Sequence, residues 1–133
     1  MAIDLGTRRI GVAVSQGSLA VPVATVASDP KLSDRVRRLA RLGQQRQVAR
    51  FVVGLPLHMD GHEGPEAEAA REFAARLGER TGLPVELVDE RLTSVEAHRL
   101  LDEAGRRDRR AVVDQVAAVV LLQSWLDARE RAR

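Results

Sequence analysis

Met1-Ala2-Ile3-Asp4-Leu5-Gly6-Thr7-Arg8-Arg9-Ile10-Gly11-Val12-Ala13-Val14-Ser15 is the stretch that decides the fold. An apolar start running into Asp4 predicts a short strand over residues 1–5. Gly6-Thr7-Arg8-Arg9 predicts a turn, and the alternation from Ile10 to Ser15 predicts a second strand. Gly17-Ser18 supplies the next turn. Leu19–Val26 then reads as a third strand, and Pro22 sets it at a sheet edge, where a missing N–H breaks no ladder. A three-strand meander follows directly from these turn and strand signals.

Downstream the pattern changes period. Ser28-Asp29-Pro30 is expected to open a helix, with Leu32, Val36, Leu39 and Val48 at roughly helical spacing and Arg35, Arg37, Arg38, Arg41 and Arg46 on its outer faces. Phe51-Val52-Val53 reads as a short buried strand ended by Gly54 and Pro56. A helix is expected from about Pro65 to Thr81, closed by Gly82, with Ala70, Phe73, Ala74 and Leu77 as its apolar stripe. Val85–Val88 is a further strand. Thr93-Ser94-Val95-Glu96 has the form of a capping box, so a helix is expected from there to Gly105, and a last one over about Ala111–Arg129. The order βββαβαβαα predicts an α/β fold, a mixed central sheet with helices on its faces, in one domain over residues 1–133. Ligands of such sheets gather at the carboxyl ends of the parallel strands.

Composition narrows the function. The chain has 133 residues, 44% of them apolar and 30% charged, which fits a folded domain and not a disordered tail. It has no cysteine, which excludes a disulfide scaffold, a thiolate metal site and a cysteine nucleophile. The longest apolar run, Val116–Leu122, is far short of the about 20 residues a membrane helix needs. Asp4 comes too early for a secretory signal, so a cytoplasmic location is expected. Lysine and arginine number 21 against 19 acids, a net charge of +2, and Lys31 is the only lysine. Arginine forks suit phosphate, although arginine-for-lysine usage can equally reflect genomic base composition. Only 2% of residues are aromatic, which argues against single-strand binding on stacking platforms.

Four carboxylates stand out. Asp4 ends an apolar strand beside Leu5-Gly6, a place for a metal ligand or a turn cap. Asp89 and Glu90 follow a strand, so alternation sends them to opposite sides: one can face a site while the other pairs with backbone or Arg91. Asp114 and Gln115 are the sole polar residues from Ala111 to Leu122. A helix apolar nearly all round is expected to be buried. An ionised carboxylate on it costs several kcal/mol, roughly, unless it is paired, bound to metal or set in the first turn. Carboxylates converging on one strand-end site repel and need a cation. Oxygen-only ligands select Mg²⁺ or Mn²⁺, and two such ions about 3.5–4 Å apart would clamp a phosphodiester for attack by water.

Other features carry less. His58 and His62 are four apart, but Gly61 and Gly64 oppose a helix there, and no third nitrogen or sulfur ligand completes a zinc site. His98 reads as a solvated side chain. Arg106-Arg107-Asp108-Arg109-Arg110 precedes Asp114 and is either a phosphate track or a solvated loop. Neither a dinucleotide fingerprint nor a P-loop is present.

Four stretches together resemble the YqgF/RuvX family, Holliday-junction-resolvase-like pre-16S rRNA nucleases. They are Ile3–Ala13, Val53-Gly54-Leu55-Pro56-Leu57-His58-Met59-Asp60-Gly61, Asp89-Glu90-Arg91-Leu92-Thr93-Ser94, and Asp114-Gln115-Val116-Ala117-Ala118. The resemblance spans nearly the whole chain and implies an RNase H-like fold and a metal-dependent nuclease. Asp4, Glu90 and Asp114 match the acidic positions that would hold two ions of Mg²⁺ or Mn²⁺. Arg8, Arg9, Arg91 and Thr93 match positions near the site that would contact phosphate, and Arg107 and Arg109 are added from the basic run. Gly54, Pro56 and Gly61 would shape a loop at the active edge. Gln16 stands where many relatives carry an acid, His58 replaces a common Asn, the segment between Gly105 and Asp114 is short, and the chain starts almost on its first strand.

The leading expectation is an endonuclease acting in 5′ maturation of the 16S rRNA precursor, as a monomer or homodimer. The alternative is a Holliday junction resolvase on branched DNA, which requires a two-fold dimer for its paired cuts. Asp4-Leu5-Gly6-Thr7 also resembles the first phosphate motif of actin-like ATPases, but 133 residues hold one copy of a core those proteins repeat. A non-catalytic nucleic-acid-binding module is opposed by the acids, which repel phosphate when bare.

Overall fold

The computed structural model describes residues 1–91 and 109–132; for residues 109–114 it describes the helical backbone alone. The elements are β1 (Ala2–Leu5), β2 (Arg9–Gln16), β3 (Leu19–Ala27), α1 (Leu32–Gln45), β4 (Phe51–Leu55), α2 (Pro65–Thr81), β5 (Val85–Asp89) and α3 (Arg109–Arg131). The expected helix over Thr93–Gly105 lies outside the described residues.

The strands form one five-stranded sheet in the order β3-β2-β1-β4-β5. The meander β1-β2-β3 is antiparallel, and β1, β4 and β5 run parallel. β3 is the edge strand that Pro22 predicts. Val12 pairs with Ala24 but Ala13 with Pro22, so Val23 is an extra residue and the ladder bulges at the proline.

Period-two alternation divides the sheet. Ile3, Ile10, Val12, Phe51 and Val53 point to one face and pack under Val36 and Leu39 of α1 and Phe73 and Leu77 of α2. Ala2, Ala13, Ala20 and Val52 point to the other and meet Ala118, Leu121 and Leu122 of α3. Small residues on that face let α3 lie close to the sheet. Phe51 and Phe73 are buried almost completely, each worth roughly 2–3 kcal/mol of apolar burial.

Several boundaries differ from expectation for local reasons. α1 begins at Leu32, not at Ser28-Asp29-Pro30, because that tripeptide is held as a loop. Arg35 donates to the carbonyls of Asp29 (2.7 Å) and Pro30 (3.0 Å), and the Asp29 carboxylate accepts from Arg38 Nε at 2.9 Å. The helix ends at Gln45, so Val48 packs from the loop. β4 runs on through Gly54, which does not end it. α2 matches its expected limits: Pro65 starts it, and Gly82 closes it at φ 69° by donating to the Gly78 carbonyl at 2.9 Å. α3 is not enclosed all round. It buries Ala117, Ala118, Leu121 and Leu122, and leaves Val116, Val119 and Val120 half-buried.

Candidate active site

The carboxyl ends of β1, β4 and β5 lie side by side, and two acids project there on the α3 face. Asp4 shares the phase of Ala2 in β1, which faces α3. Glu90 follows β5 in the phase of Glu86 and Val88. Both of those residues meet α3: Val88 packs in its cluster, and Glu86 accepts a hydrogen bond from Trp125 Nε1 at 2.8 Å. The Glu90 backbone N–H donates to the Leu55 carbonyl at 3.2 Å, extending the β4–β5 ladder one step.

Gly54 lies between the two acids. β1 and β4 pair in register at Ile3 and Val53, and the next step sets Asp4 beside Gly54. A Cβ on Gly54 would stand 2.0 Å from Glu90 Oε2 and 3.4 Å from Leu121 Cδ2. The Glu90 side chain therefore crosses the strand over bare backbone to reach Asp4. Any residue larger than glycine would occupy that path. The sequence does carry a signal for this, because glycine inside an apolar strand marks a close approach. Reading Gly54 as a strand terminator and loop-shaper missed it.

The Asp4 and Glu90 carboxyls lie close enough to act on each other directly, and a proton held between them would relieve their repulsion. Burial raises the Asp4 carboxyl above its usual value, and the Glu90 hydrogen bond partly offsets this. Glu90 is pushed up to about 9, by burial first and then by the Asp4 charge beside it. No cationic side chain among the described residues answers either acid. Two half-buried oxygen-donor groups that repel each other fit a hard divalent cation, which would relieve that repulsion. The donor set thus suits Mg²⁺ or Mn²⁺.

Asp89 turns the other way, as alternation requires. Its carboxylate accepts from Arg91 N (3.0 Å) and Arg91 Nε (2.9 Å), and this pairing lowers its pKa. Arg91 also donates to the Met59 carbonyl at 3.5 Å, tying the loop after β4 to the end of β5. In that loop Leu57 bridges to Glu63, and the His58 and His62 rings stack at 3.9 Å with Asp60 bonded to His62 Nδ1. Gly6 closes the β1–β2 turn by donating to the Arg9 carbonyl at 2.9 Å. A Cβ at Gly6 would meet that oxygen at 2.3 Å. Arg8 is exposed on this turn, and Arg9 starts β2, half-buried, opposite Ala27.

Thr93 and Arg107 lie outside the described residues, and Arg109 and Asp114 are described by backbone alone. Trp125 of α3 meets residues at the amino end of β4 and β5, and Leu121 lies beside Gly54. Going toward its N-terminus, the helix therefore advances toward the carboxyl edge. Position 114 is seven residues, roughly two turns, beyond Leu121 and shares its helical phase.

The family model described as RuvX, Holliday junction resolvase, matches residues 1–128. A Myxococcus xanthus protein named "Putative pre-16S rRNA nuclease" is 50% identical over 131 residues, covering 96% of this chain and 87% of the relative. Proteins of the same name from Anaeromyxobacter dehalogenans and Chloroflexus aurantiacus are 48% and 45% identical, each over 97% of this chain, covering 96% and 86% of the relatives. Among solved structures, Thermus thermophilus RuvC with a Holliday junction substrate superposes with a TM-score of 0.60 at 15% identity, over 97% of this chain and 93% of that one. A second RuvC structure from that organism gives 0.53 at 14% identity, over 97% and 94%. The sheet order and helix placement are thus those of the RuvC-like, RNase H-like fold, and the chain belongs to the RuvX family.

Proposed function

We propose that this protein is a divalent-metal-dependent endonuclease acting in 5′ maturation of the 16S rRNA precursor in the cytoplasm, from a single domain over residues 1–133. One observation carries the metal-dependent chemistry. Asp4 and Glu90, 86 residues apart in sequence, are brought together over Gly54 with no cation among the described residues to balance them. Such an arrangement costs folding free energy and is retained where the carboxylates serve a ligand. The precursor-rRNA substrate is supported by the names of relatives at 45–50% identity.

In this proposal Asp4, Glu90 and Asp114 hold the metal, two ions when substrate is bound. The metal supplies Lewis-acid stabilisation of the phosphodiester and lowers the pKa of an attacking water. The rest falls to the chain. Asp4 and Glu90 fix the oxygen donors on rigid strand ends, and Gly54 keeps the Glu90 carboxylate close to the sheet. Arg8, Arg9, Arg91 and Thr93 stand in the family motifs and would hold substrate phosphates, with Arg107 and Arg109 of the basic run joining them. Asp89 orients Arg91 by a two-point pairing. It also lowers the net charge Arg91 offers a phosphate, so Arg91 acts more by position than by free charge.

A cleavage assay in Mg²⁺ or Mn²⁺ tests this. It compares a 5′ precursor-rRNA fragment, a four-way DNA junction and a linear duplex, with Asp4→Asn as the contamination control. Cutting of the RNA, lost in the variant, is expected. The family model's description and the RuvC likeness favour a second reading, a junction resolvase. Paired symmetric cuts in the junction alone, by a two-fold dimer, would establish that one instead.

A further inference from the structure

We propose that the end of the sheet opposite Asp4 and Glu90 carries a second phosphate-binding surface, which grips the backbone of the RNA at a distance from the cut. The choice of RNA rests on the nuclease reading above; the surface itself rests on how the arginines are distributed.

Two clefts adjoin there and share Gln47 and Val48 on their common rim. One, of about 560 Å³, is lined by Arg46, Arg50 and Arg129. The other, of about 860 Å³, is lined by Arg37, Arg41 and Arg80. Among the described residues no carboxylate lines either cleft. Of their six arginines, Arg37 pairs with Asp34 on α1 and Arg50 lies 3.9 Å from Glu86. Arg41, Arg46 and Arg80 are exposed and have no salt bridge with an acid among the described residues. A chain of net charge +2 thus sets Arg41, Arg46 and Arg80, exposed and without an acid partner among the described residues, around one concave surface.

The surface is also built to hold its arginines in place. Trp125 lies beneath two of them, with Arg129 Cζ 4.6 Å and Arg50 Cζ 5.8 Å from its ring centre. Glu86 fixes the indole by accepting from Nε1 at 2.8 Å. The stacked guanidiniums lose less freedom on gripping a phosphate than free ones would. On the shared rim, Gln47 is held at φ 54°, a conformation costly for a residue with a Cβ.

Position gives the surface its role. Arg50 immediately precedes β4 and Thr81 and Leu83 precede β5, whereas Asp4 and Glu90 follow the carboxyl ends of the sheet. The five residues of β4 separate the two by roughly 17 Å. An RNA reaching both would need a longer arm than the cut itself requires.

Fluorescence anisotropy in EDTA tests the surface without any cleavage. The protein is an Asp4→Asn background, and the probe is a labelled RNA hairpin with a stem of about 20 base pairs, far longer than that separation. Arg41→Gln, Arg46→Gln and Arg80→Gln together are expected to weaken binding about tenfold and reduce the log–log salt slope by about two to three, as the loss of three phosphate contacts requires. The charge-matched control Arg38→Gln, Arg71→Gln, Arg76→Gln removes arginines that each pair with an acid, and it should change affinity less than twofold. Thermal melts establish that both triple variants fold, and the three single variants replace any triple that does not. Equal losses in the two sets would reduce the effect to net charge and overturn the proposal, as would no loss in either. If the cleft variant loses binding but no metal-dependent cutting is found on any substrate, the surface stands and the nuclease reading fails.

Discussion

Replacing Glu90 by glutamine should make the metal-free protein more stable, by an amount that grows with pH. Glu90 is pushed up to about 9 in the folded chain, from 4.5 when unfolded, chiefly by burial and by Asp4. Between those values the native state keeps a proton that the unfolded chain has released. Stability therefore falls as pH rises through that window, and the full penalty is reached above the folded pKa. A single proton gives a slope of at most about 1.4 kcal/mol per pH unit. Asp4 and Glu90 titrate as a pair, so the slope belongs to both. From pH 6 to pH 8 the loss should be on the order of 2 kcal/mol after allowance for water reaching the pair. Glutamine keeps a donor for the Asp4 carboxylate but cannot ionise, so its curve should be nearly flat. Urea denaturation in EDTA at pH 6, 7 and 8 measures this directly. Glu63→Gln is the control, because Arg71 lowers the pKa of Glu63 and its titration lies below the window. Millimolar Mg²⁺ should restore stability to the wild type at pH 8 and leave Glu90→Gln unchanged. An identical pH slope in wild type and Glu90→Gln would refute the argument, since the two acids would then not be in repulsive contact.

Gly54→Ala should fold but lose at least tenfold in cleavage rate, because its Cβ would lie 2.0 Å from Glu90 Oε2 and push that flexible side chain away from Asp4; undiminished cutting would show that Glu90 need not cross the strand. Asp114→Asn should abolish cleavage while leaving the melting temperature equal or slightly higher, and an unfolded variant would mean instead that Asp114 serves a buried ion pair. Gln47→Gly should stabilise the chain by roughly 0.5–1 kcal/mol in urea titration, because glycine adopts φ 54° without the strain of a Cβ; a destabilised variant would mean that the Gln47 side chain holds the turn after α1.

Much of the fold was legible because its signals are local. Turn glycines, a proline at the edge strand and a helix between Pro65 and Gly82 each follow from the chemistry of a few adjacent residues. The failures came where distant contacts override local preference. Ser28-Asp29-Pro30 has the composition of a helix start, yet Arg35 and Arg38, arriving a turn or more later, hold its carbonyls and carboxylate as a loop. The run from Ala111 to Leu122 is apolar enough to be enclosed, yet only one sheet face is available to α3, so three valines stay half-buried. The site shows the same division. Alternation alone sends Asp89 and Glu90 to opposite sides, and their partners, Arg91 and Asp4, agree with it. It cannot tell which of the two meets Asp4, because that depends on the register of β1, β4 and β5. Gly54 is the point where these scales meet. In sequence it is a strand breaker, but inside a paired strand its missing side chain is the space that the Glu90 carboxylate fills. The catalytic proposal and the stability cost described above arise from that single vacancy, because the same gap that brings two acids together also shields them in part from water.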